Sequence, residues 1–198
     1  MDIKLIFALI SLGIVLAGYV PYIRDMFARR TMPHAYTWLI WSVTTGISTV
    51  GVWYGGGGYP AISMAVGTLC TVLVFVLSIK YGTRNITKGD TAALLAALVA
   101  VFVWVQLDNP LLSVAIAVTI DGIGYWPSFR KSFSEPWSES LSTWVLFNCS
   151  IVFSFLALSA YNPLTLLFYA VSFVCNLTLI VLCLYRRKII PKPSAIKL

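Results

Sequence analysis

The sequence predicts an all-α membrane protein with seven transmembrane helices, arranged as three helices, one linker helix and three helices. The first indication is composition: of 198 residues, 59% are hydrophobic and 11% are charged, whereas a soluble domain averages about 25% charged residues. So few polar groups cannot cover a water-facing globule. The second indication is the clustering of the basic residues, and the third is an internal repeat of three helices.

Seven apolar runs, separated by Gly/Pro turns or by basic clusters, are each long enough for one crossing of about 20 residues. The predicted helices cover, in order, about residues 4–22, 35–54, 61–81, 90–107, 110–129, 140–159 and 164–185. The segments 35–79 and 140–185 contain no charged residue, and each has a turn near its middle, at 55–60 and 161–163. Each segment is therefore two crossings rather than one.

The basic residues predict the orientation of the chain. Thirteen of the fourteen Lys and Arg residues lie in the connections 1–2, 3–4 and 5–6 and in the C-terminal tail, and the other three connections contain none. Because basic loops stay in the cytosol, the N-terminus is predicted outside and the C-terminus in the cytosol. The net charge of +7 is then a topology signal, and no nucleic-acid partner is predicted.

The second half of the chain repeats the first at an offset of 106 residues, which pairs Gly124 with Gly18. Residues 18–27 (GYVPYIRDMF) align with residues 124–133 (GYWPSFRKSF) without a gap. The same register gives three further identities: Thr37 with Thr143, Trp38 with Trp144 and Ser48 with Ser154. Both copies begin on the same side of the bilayer, so the repeats are parallel.

This plan resembles the SWEET and PQ-loop transporter superfamily over nearly the whole chain. The family's Pro-Gln pair stands here as Pro21-Tyr22 and Pro127-Ser128, so the sequence is similar to a divergent, bacterial-type member without the glutamines. The corresponding boundaries are a first three-helix bundle over 1–84, a linker helix over 85–108, a second bundle over 109–187 and a basic cytosolic tail over 188–198. The predicted compartment is a bacterial inner membrane.

Two prolines are candidate hinges. Pro21 and Pro127 lie at the cytosolic ends of helices 1 and 5, where each removes a backbone hydrogen bond and kinks the helix. The resemblance implies that they open a cytosolic gate, and the alternative is simple helix termination. Gly18 and Gly124 precede them and permit close contact between helices.

Asp121 is the only Asp, Glu, Lys, Arg or His in the interior of any predicted helix, close to mid-bilayer. A carboxylate there is costly unless it is protonated, paired or hydrated. Its repeat counterpart is Val15, so the fold itself does not require an acid. Two interpretations stay open: a solute or proton site, and a structural hydrogen bond to a neighbouring helix.

Asn148 and Asn176 lie at a depth similar to that of Asp121 and predict one polar pocket together with it. An asparagine in helix 7 also stands where the resemblance implies a substrate contact. The first-half counterparts are Ser42 and Cys70. The alternative for the asparagines is an interhelical hydrogen bond.

Three tryptophans complete the candidate residues. Trp41 could stack on a sugar or ring substrate, although packing is the simpler interpretation. Trp38 and Trp144 are predicted to be anchors at the membrane interface, where tryptophan is enriched.

The predicted function is transport of a small neutral or zwitterionic solute, such as a sugar, amino acid or vitamin, with a proton link through Asp121 as an option. An enzyme is not predicted, because one buried acid without a buried histidine supplies no catalytic pair. A retinal photoreceptor needs a lysine within helix 7, and none occurs before Lys188. A receptor of the same fold that binds without transport stays open.

No metal or cofactor is predicted, because His34 is the only histidine and the four cysteines lie inside apolar runs. The expected partners are a small-molecule solute and the lipid bilayer. The oligomeric state stays open, a homo-oligomer included.

Overall fold

The computed structural model describes residues 2–106 and 109–192. These residues form seven α-helices and a short 3₁₀ helix at Pro136–Ser138. The α-helices are α1 (Ile3–Phe27), α2 (Ala35–Tyr54), α3 (Pro60–Tyr81), α4 (Lys88–Val105), α5 (Pro110–Ser134), α6 (Leu141–Ala157) and α7 (Pro163–Ile189). The predicted all-α class with seven helices is confirmed. The predicted end of helix 4 at 107, the turn residue 108 and tail residues 193–198 lie outside the described ranges.

Helix starts follow the local sequence. The Asp2 side chain accepts from the backbone nitrogen of Lys4 at 3.0 Å, and Asn109 accepts from that of Leu112 at 3.0 Å. Asn162 forms a reciprocal capping box at the start of α7. Proline occupies the first helical position of α3, α5 and α7, where its missing N–H costs nothing.

The two candidate hinge prolines lie inside their helices. Helix α1 continues past Pro21 to Phe27, and α5 continues past Pro127 to Ser134, so the predicted ends at 22 and 129 are wrong. Residues beyond each proline, such as Tyr22 and Lys131, are fully buried. Their packing offsets the lost backbone hydrogen bond, and helix termination is therefore not the role of either proline.

Four of the helices, α1, α3, α5 and α7, are long and apolar enough to cross a membrane, and α6 is a shorter apolar helix. Large apolar side chains are exposed on the outside of the bundle, among them Leu69, Ile79 and Phe102. Monomeric soluble proteins rarely expose so much contiguous apolar surface. The chain is a helical, membrane-embedded protein.

The helices pack in matched pairs. Helix α1 packs against α3 and α6, and α5 packs against α7 and α2. Helix α2 also packs along α3, and α6 along α7, while α4 covers α5 and part of α2. The largest core cluster lies at the end of the bundle that holds Pro21 and Pro127. A smaller cluster at the opposite end contains Val52, Met64, Leu158 and Tyr169.

Candidate functional site: a cavity inside the bundle

The bundle contains a cavity of about 130 Å³ between six of its seven α-helices. Helices α1, α2, α3, α5, α6 and α7 all contribute lining residues, whereas the described residues of α4 contribute none. A cavity of about 150 Å³ accommodates benzene, so this one matches a small ring or a short chain in size. Residues of both core clusters line it, the larger cluster at one end and the smaller at the other.

Six aromatic side chains form the end of the cavity nearer the two prolines, and we call them the aromatic layer. They are Tyr19, Trp38, Trp41, Tyr125, Trp144 and Phe147. Trp38 and Trp144 are each 2% exposed, so the prediction that they are interface anchors is wrong. Their rings are held by edge contacts with their neighbours inside the bundle.

Ring distances in the aromatic layer recur in the 106-residue register. The ring centroids lie 4.8 Å apart for Tyr19–Phe147 and 4.5 Å apart for the matched pair Tyr125–Trp41. For Tyr19–Trp38 and its match Tyr125–Trp144 the distances are 6.3 Å and 6.5 Å. For Trp38–Trp41 and its match Trp144–Phe147 they are 5.3 Å and 5.8 Å. The layer is therefore built from two similar halves. Each half combines a tyrosine of α1 or α5 with one ring from α2 and one ring from α6.

Asp121 faces the cavity from α5 and is 2% exposed. Its Oδ1 accepts from Thr44 Oγ1 at 2.6 Å, and its backbone oxygen accepts from Trp41 Nε1 at 3.2 Å. Among the described residues, nothing else donates to the carboxylate. Asp121 is thus joined to α2 through both its side chain and its backbone, and Oδ2 is left for a ligand.

Asn176 also lines the cavity, as predicted from helix 7. Its Oδ1 accepts from Tyr125 Oη at 2.6 Å, and no described residue accepts from its Nδ2. The hydroxyl of Tyr169 is buried in the same wall without a hydrogen-bond partner among the described residues. Asn176 Nδ2, Ser172 Oγ and Asp121 Oδ2 are among the polar atoms of the lining residues that make no hydrogen bond to a described residue.

Most other polar side chains of the wall are bonded to the protein itself. Thr45 donates to the Trp41 carbonyl at 2.5 Å, and Ser63 donates to the Ala8 carbonyl at 3.1 Å. Three serines bond to one another across α1 and α6: Ser11 Oγ lies 2.9 Å from Ser150 Oγ and 2.7 Å from Ser154 Oγ. The cavity therefore presents aromatic faces and few free polar atoms, rather than the amide- and hydroxyl-rich pocket that the sequence predicts.

Three of the predicted pocket residues do not line the cavity. Asn148 points along α7 and donates from Nδ2 to the Phe173 carbonyl at 3.3 Å. Ser42 donates back to the Trp38 carbonyl at 2.7 Å, and Cys70 is half-buried against the core cluster. Similar depth was the basis of the prediction, but successive helical residues are rotated by about 100°. Depth alone does not fix which face a side chain occupies.

The two candidate glycines lie at close helix contacts. A Cβ on Gly18 would lie 2.9 Å from Phe147, and a Cβ on Gly124 would lie 2.9 Å from Ile40 and 3.1 Å from Trp41. Gly18 thus contacts α6, and Gly124 contacts α2. Both contacts lie one turn from the prolines of the same helices.

Two ion pairs, which the sequence does not identify, lie beyond the aromatic layer; Asp90, Lys131 and Glu139 are buried, and Arg130 is 25% exposed. In the first, Arg130 binds both oxygens of Asp90, with Nη2–Oδ2 at 2.6 Å and Nε–Oδ1 at 3.0 Å. In the second, Lys131 pairs with Glu139, and its Nζ also donates to the Met32 carbonyl at 2.7 Å. In the sequence, the adjacent residues Arg130 and Lys131 are the visible sign of these ion pairs, but their place in a basic cluster predicts a solvated loop.

These ion pairs contact the aromatic layer and His34. Trp144 Nε1 donates to Glu139 Oε2 at 3.2 Å. His34 is fully buried, with Nε2 3.4 Å from Asp90 Oδ2 and without hydrogen-bond geometry. Burial lowers the pKa of the His34 imidazole. The positive charges of Lys131 and Arg130 lower this pKa further, and the Asp90 carboxylate acts in the opposite direction. The ring is therefore neutral at pH 7, and no group of metal ligands surrounds it among the described residues.

No protein-family model, no curated protein and no solved structure matches this chain.

Proposed function

We propose that the chain is a transporter that moves a small neutral or zwitterionic solute across a membrane by alternating access. The proposal includes a SWEET-like arrangement of two parallel three-helix bundles, with α4 as the linker. The observation that carries it is the cavity inside the bundle, to which the three helices of each proposed bundle contribute and the described part of α4 does not. Binding sites at the interface between repeats are typical of secondary transporters.

Equivalent contacts between the two halves support the repeat. Gly18 of α1 lies against Leu146 and Phe147 of α6, and Gly124 of α5 lies against Ile40 and Trp41 of α2. In the 106-residue register all of these positions correspond. Such agreement at the level of single residues is expected if the bundles are related by a pseudo-twofold axis.

Packed clusters at both ends of the cavity support alternating access. The aromatic layer lies at the end beside Pro21 and Pro127, and the cluster of Val52, Met64 and Leu158 lies at the other end. A relative movement of the bundles would open one end while the other stays packed. Prolines inside α1 and α5 are suited to act as the hinges, because each helix lacks one hydrogen bond there.

The proposed orientation has the N-terminus outside and the C-terminus in the cytosol, in a bacterial inner membrane. It rests on the four basic clusters, whose described residues all lie at the end of the bundle that holds the aromatic layer. The aromatic layer is then the cytosolic gate. Among the described residues, Asp121 is the one carboxylate that lines the cavity, and hence the candidate for any proton coupling.

Two-sided accessibility tests the proposal without knowledge of the solute. Ser172 lines the cavity and is buried, so Ser172→Cys, in a chain whose four native cysteines are replaced by serine, places one thiol inside. In oriented proteoliposomes, a membrane-impermeant methanethiosulfonate is expected to modify that thiol whether it is added outside or inside. Modification from one side only would contradict transport and would favour a receptor.

The matched control is Thr178→Cys in the same background. Thr178 is exposed on the same helix and would face lipid. A membrane-impermeant reagent is expected not to modify it from either side. Equal modification of both thiols from both sides would show that the reagent also reaches the outer surface of the bundle, and it would remove the support that two-sided access gives to the proposal.

A further inference from the structure

An ionised Asp121 would have no counter-charge among the described residues that line the cavity. Among the described residues that line it there is no Lys, Arg or His, and Asp121 is the only acid. The carboxylate receives one hydrogen bond, from Thr44 at 2.6 Å. A buried carboxylate with so little compensation is stabilised by a cation that binds beside it.

Aromatic faces surround the same carboxylate. Trp41 is bonded to the Asp121 carbonyl, and Tyr125 follows Asp121 by four residues, so it lies on the same face of α5. The rings of Trp41 and Tyr125 lie 4.5 Å apart, and Trp144 is 5.7 Å from Trp41. The negative faces of such rings attract organic cations, and tryptophan does so most strongly.

The other candidate solutes fit this wall less well. A sugar presents several hydroxyls, and each would need a partner in a wall where most hydroxyls are already bonded to the protein. An anion finds no basic residue among the described lining residues. The carboxylate of an amino acid would likewise lack a positive partner.

We infer that the cavity takes a small monovalent organic cation, a protonated amine or quaternary ammonium with an apolar body no larger than a single ring. The charged end lies between the Asp121 carboxylate and the faces of Trp41 and Tyr125, and the apolar end contacts the remaining rings. This inference rests on the proposed function, because it takes the cavity inside the bundle to be the solute site. It keeps transport by alternating access and revises the class of the solute from neutral or zwitterionic to cationic.

A pair of isosteric probes tests the inference. Calorimetric titration of the purified full chain in detergent at pH 7.5 compares cyclohexylammonium with cyclohexanol, which has the same ring without the charge. We expect the cation to bind about tenfold more tightly or better, as charged hydrogen bonds and cation–π contacts in desolvated sites provide. Equal affinity of the two probes, or tighter binding of the alcohol, would overturn the inference.

Variants assign the effect to the site. Asp121→Asn keeps the shape of the side chain and is expected to abolish the preference for the cation. The control Asp2→Asn removes a carboxylate at an exposed helix cap. This variant is expected to keep the preference for the cation. If the preference survived Asp121→Asn, the cation would bind elsewhere and the inference would fail. Tetramethylammonium is expected to compete with cyclohexylammonium in the unsubstituted protein, which tests the site even if Asp121→Asn does not fold.

Flux separates this inference from the proposed function. Proteoliposomes loaded with unlabelled cyclohexylammonium and given the labelled compound outside are expected to show counterflow. Counterflow of labelled glucose or alanine, without binding of the cation, would contradict the cation site and leave transport standing. Binding of the cation with no counterflow and one-sided access at Ser172 would contradict transport and leave the cation site standing.

Discussion

Trp41 on α2 and Phe147 on α6 occupy the same position of the 106-residue register, and each packs its ring against the tyrosine of the other half. The centroids lie 4.5 Å apart for Trp41–Tyr125 and 4.8 Å apart for Phe147–Tyr19. Only Trp41 carries an N–H, and that group donates to the backbone of Asp121 at 3.2 Å. The two halves share a packing scheme, and the chemistry for a ligand is concentrated on one side of it.

The close contact at Gly124 predicts a loss of stability when a methyl group is added. A Cβ there would lie 2.9 Å from Ile40 and 3.1 Å from Trp41, whereas a Cβ on Gly122 would meet nothing within 4 Å. Because overpacking costs about 1–3 kcal/mol, Gly124→Ala is expected to be less stable than Gly122→Ala by that amount. Thermal unfolding of both variants in detergent measures the difference, and equal unfolding temperatures would show that α5 and α2 are not in this contact.

The buried pair of Lys131 and Glu139 predicts strong coupling. Removing one partner leaves a buried charge without compensation, which costs about 3–5 kcal/mol, so Lys131→Met and Glu139→Gln should each lower the free energy of unfolding by that much. The double variant should lose clearly less than the sum of the two. Denaturant unfolding gives the cycle, and strictly additive losses would mean that the pair does not form.

The ion pair of Arg24 and Asp25, whose arginine is exposed, serves as the control for this cycle. The Arg24 side chain is 72% exposed and the Asp25 side chain 21% exposed, and ion pairs with a solvent-exposed partner contribute about 0–1 kcal/mol. Arg24→Gln is therefore expected to leave the unfolding free energy nearly unchanged under the same conditions.

His34 predicts that stability falls on mild acidification. Burial lowers the pKa of His34 below its usual value of about 6.5, so the unfolded chain binds the proton more readily than the folded protein. The stability that depends on neutral His34 is complete above about pH 6.5 and is lost as the pH falls through the folded pKa. Lys131 and Arg130 repel the protonated ring, and Asp90 attracts it.

The measurement is the unfolding temperature between pH 7.5 and pH 5.5. Because the chain has one histidine, His34→Gln removes the histidine's contribution to the pH dependence, and the variant is expected to lose less of its unfolding temperature on acidification than the unsubstituted protein. Parallel profiles for the two proteins would contradict the buried, neutral state of the ring.

The proline inside α5 is expected to affect the opening of the cytosolic end of the cavity rather than the binding of a solute. Pro127→Ala restores a backbone N–H and is expected to straighten the helix, which favours the closed cytosolic end. A bias of about 1.4 kcal/mol would slow modification of Ser172→Cys from the cytosolic side about tenfold. Pro110→Ala, at the favourable first position of the same helix, is the control and should leave the rate unchanged. Equal rates for the two alanine variants would argue against a hinge.

The sequence predicts where the seven helices lie along the chain. It does not predict which side chains of each helix face the cavity. Uncharged runs, turn residues and helix caps identify the seven helices because these signals are local. The 106-residue repeat also marks four residues of the aromatic layer. Tyr19 is matched by Tyr125, and Trp38 is matched by Trp144. Asn148 and Ser42 were assigned to the cavity from depth, and the rotation of a helix about its axis depends on packing that no local signal records.

The ion pairs illustrate a second limit. Arg130 and Asp90 are 40 residues apart in sequence, and nothing local pairs them. Lys131 stands in a basic cluster that the positive-inside rule assigns to a solvated loop, but continuation of α5 past Pro127 carries it into the interior. A wrong helix end thus concealed a buried charge network.

We propose that the aromatic end of the cavity opens when α2 and α5 separate, and a reversible lock between these two helices tests this movement. Thr37 Oγ1 of α2 and Ser128 Oγ of α5 lie 3.3 Å apart at that end, so Thr37→Cys and Ser128→Cys should form a disulfide on oxidation. With the lock formed, we expect the thiol of Ser172→Cys to be modified from the outside and not from the cytosolic side, and reduction should restore cytosolic access. Cytosolic modification at an unchanged rate in the locked protein would contradict the account.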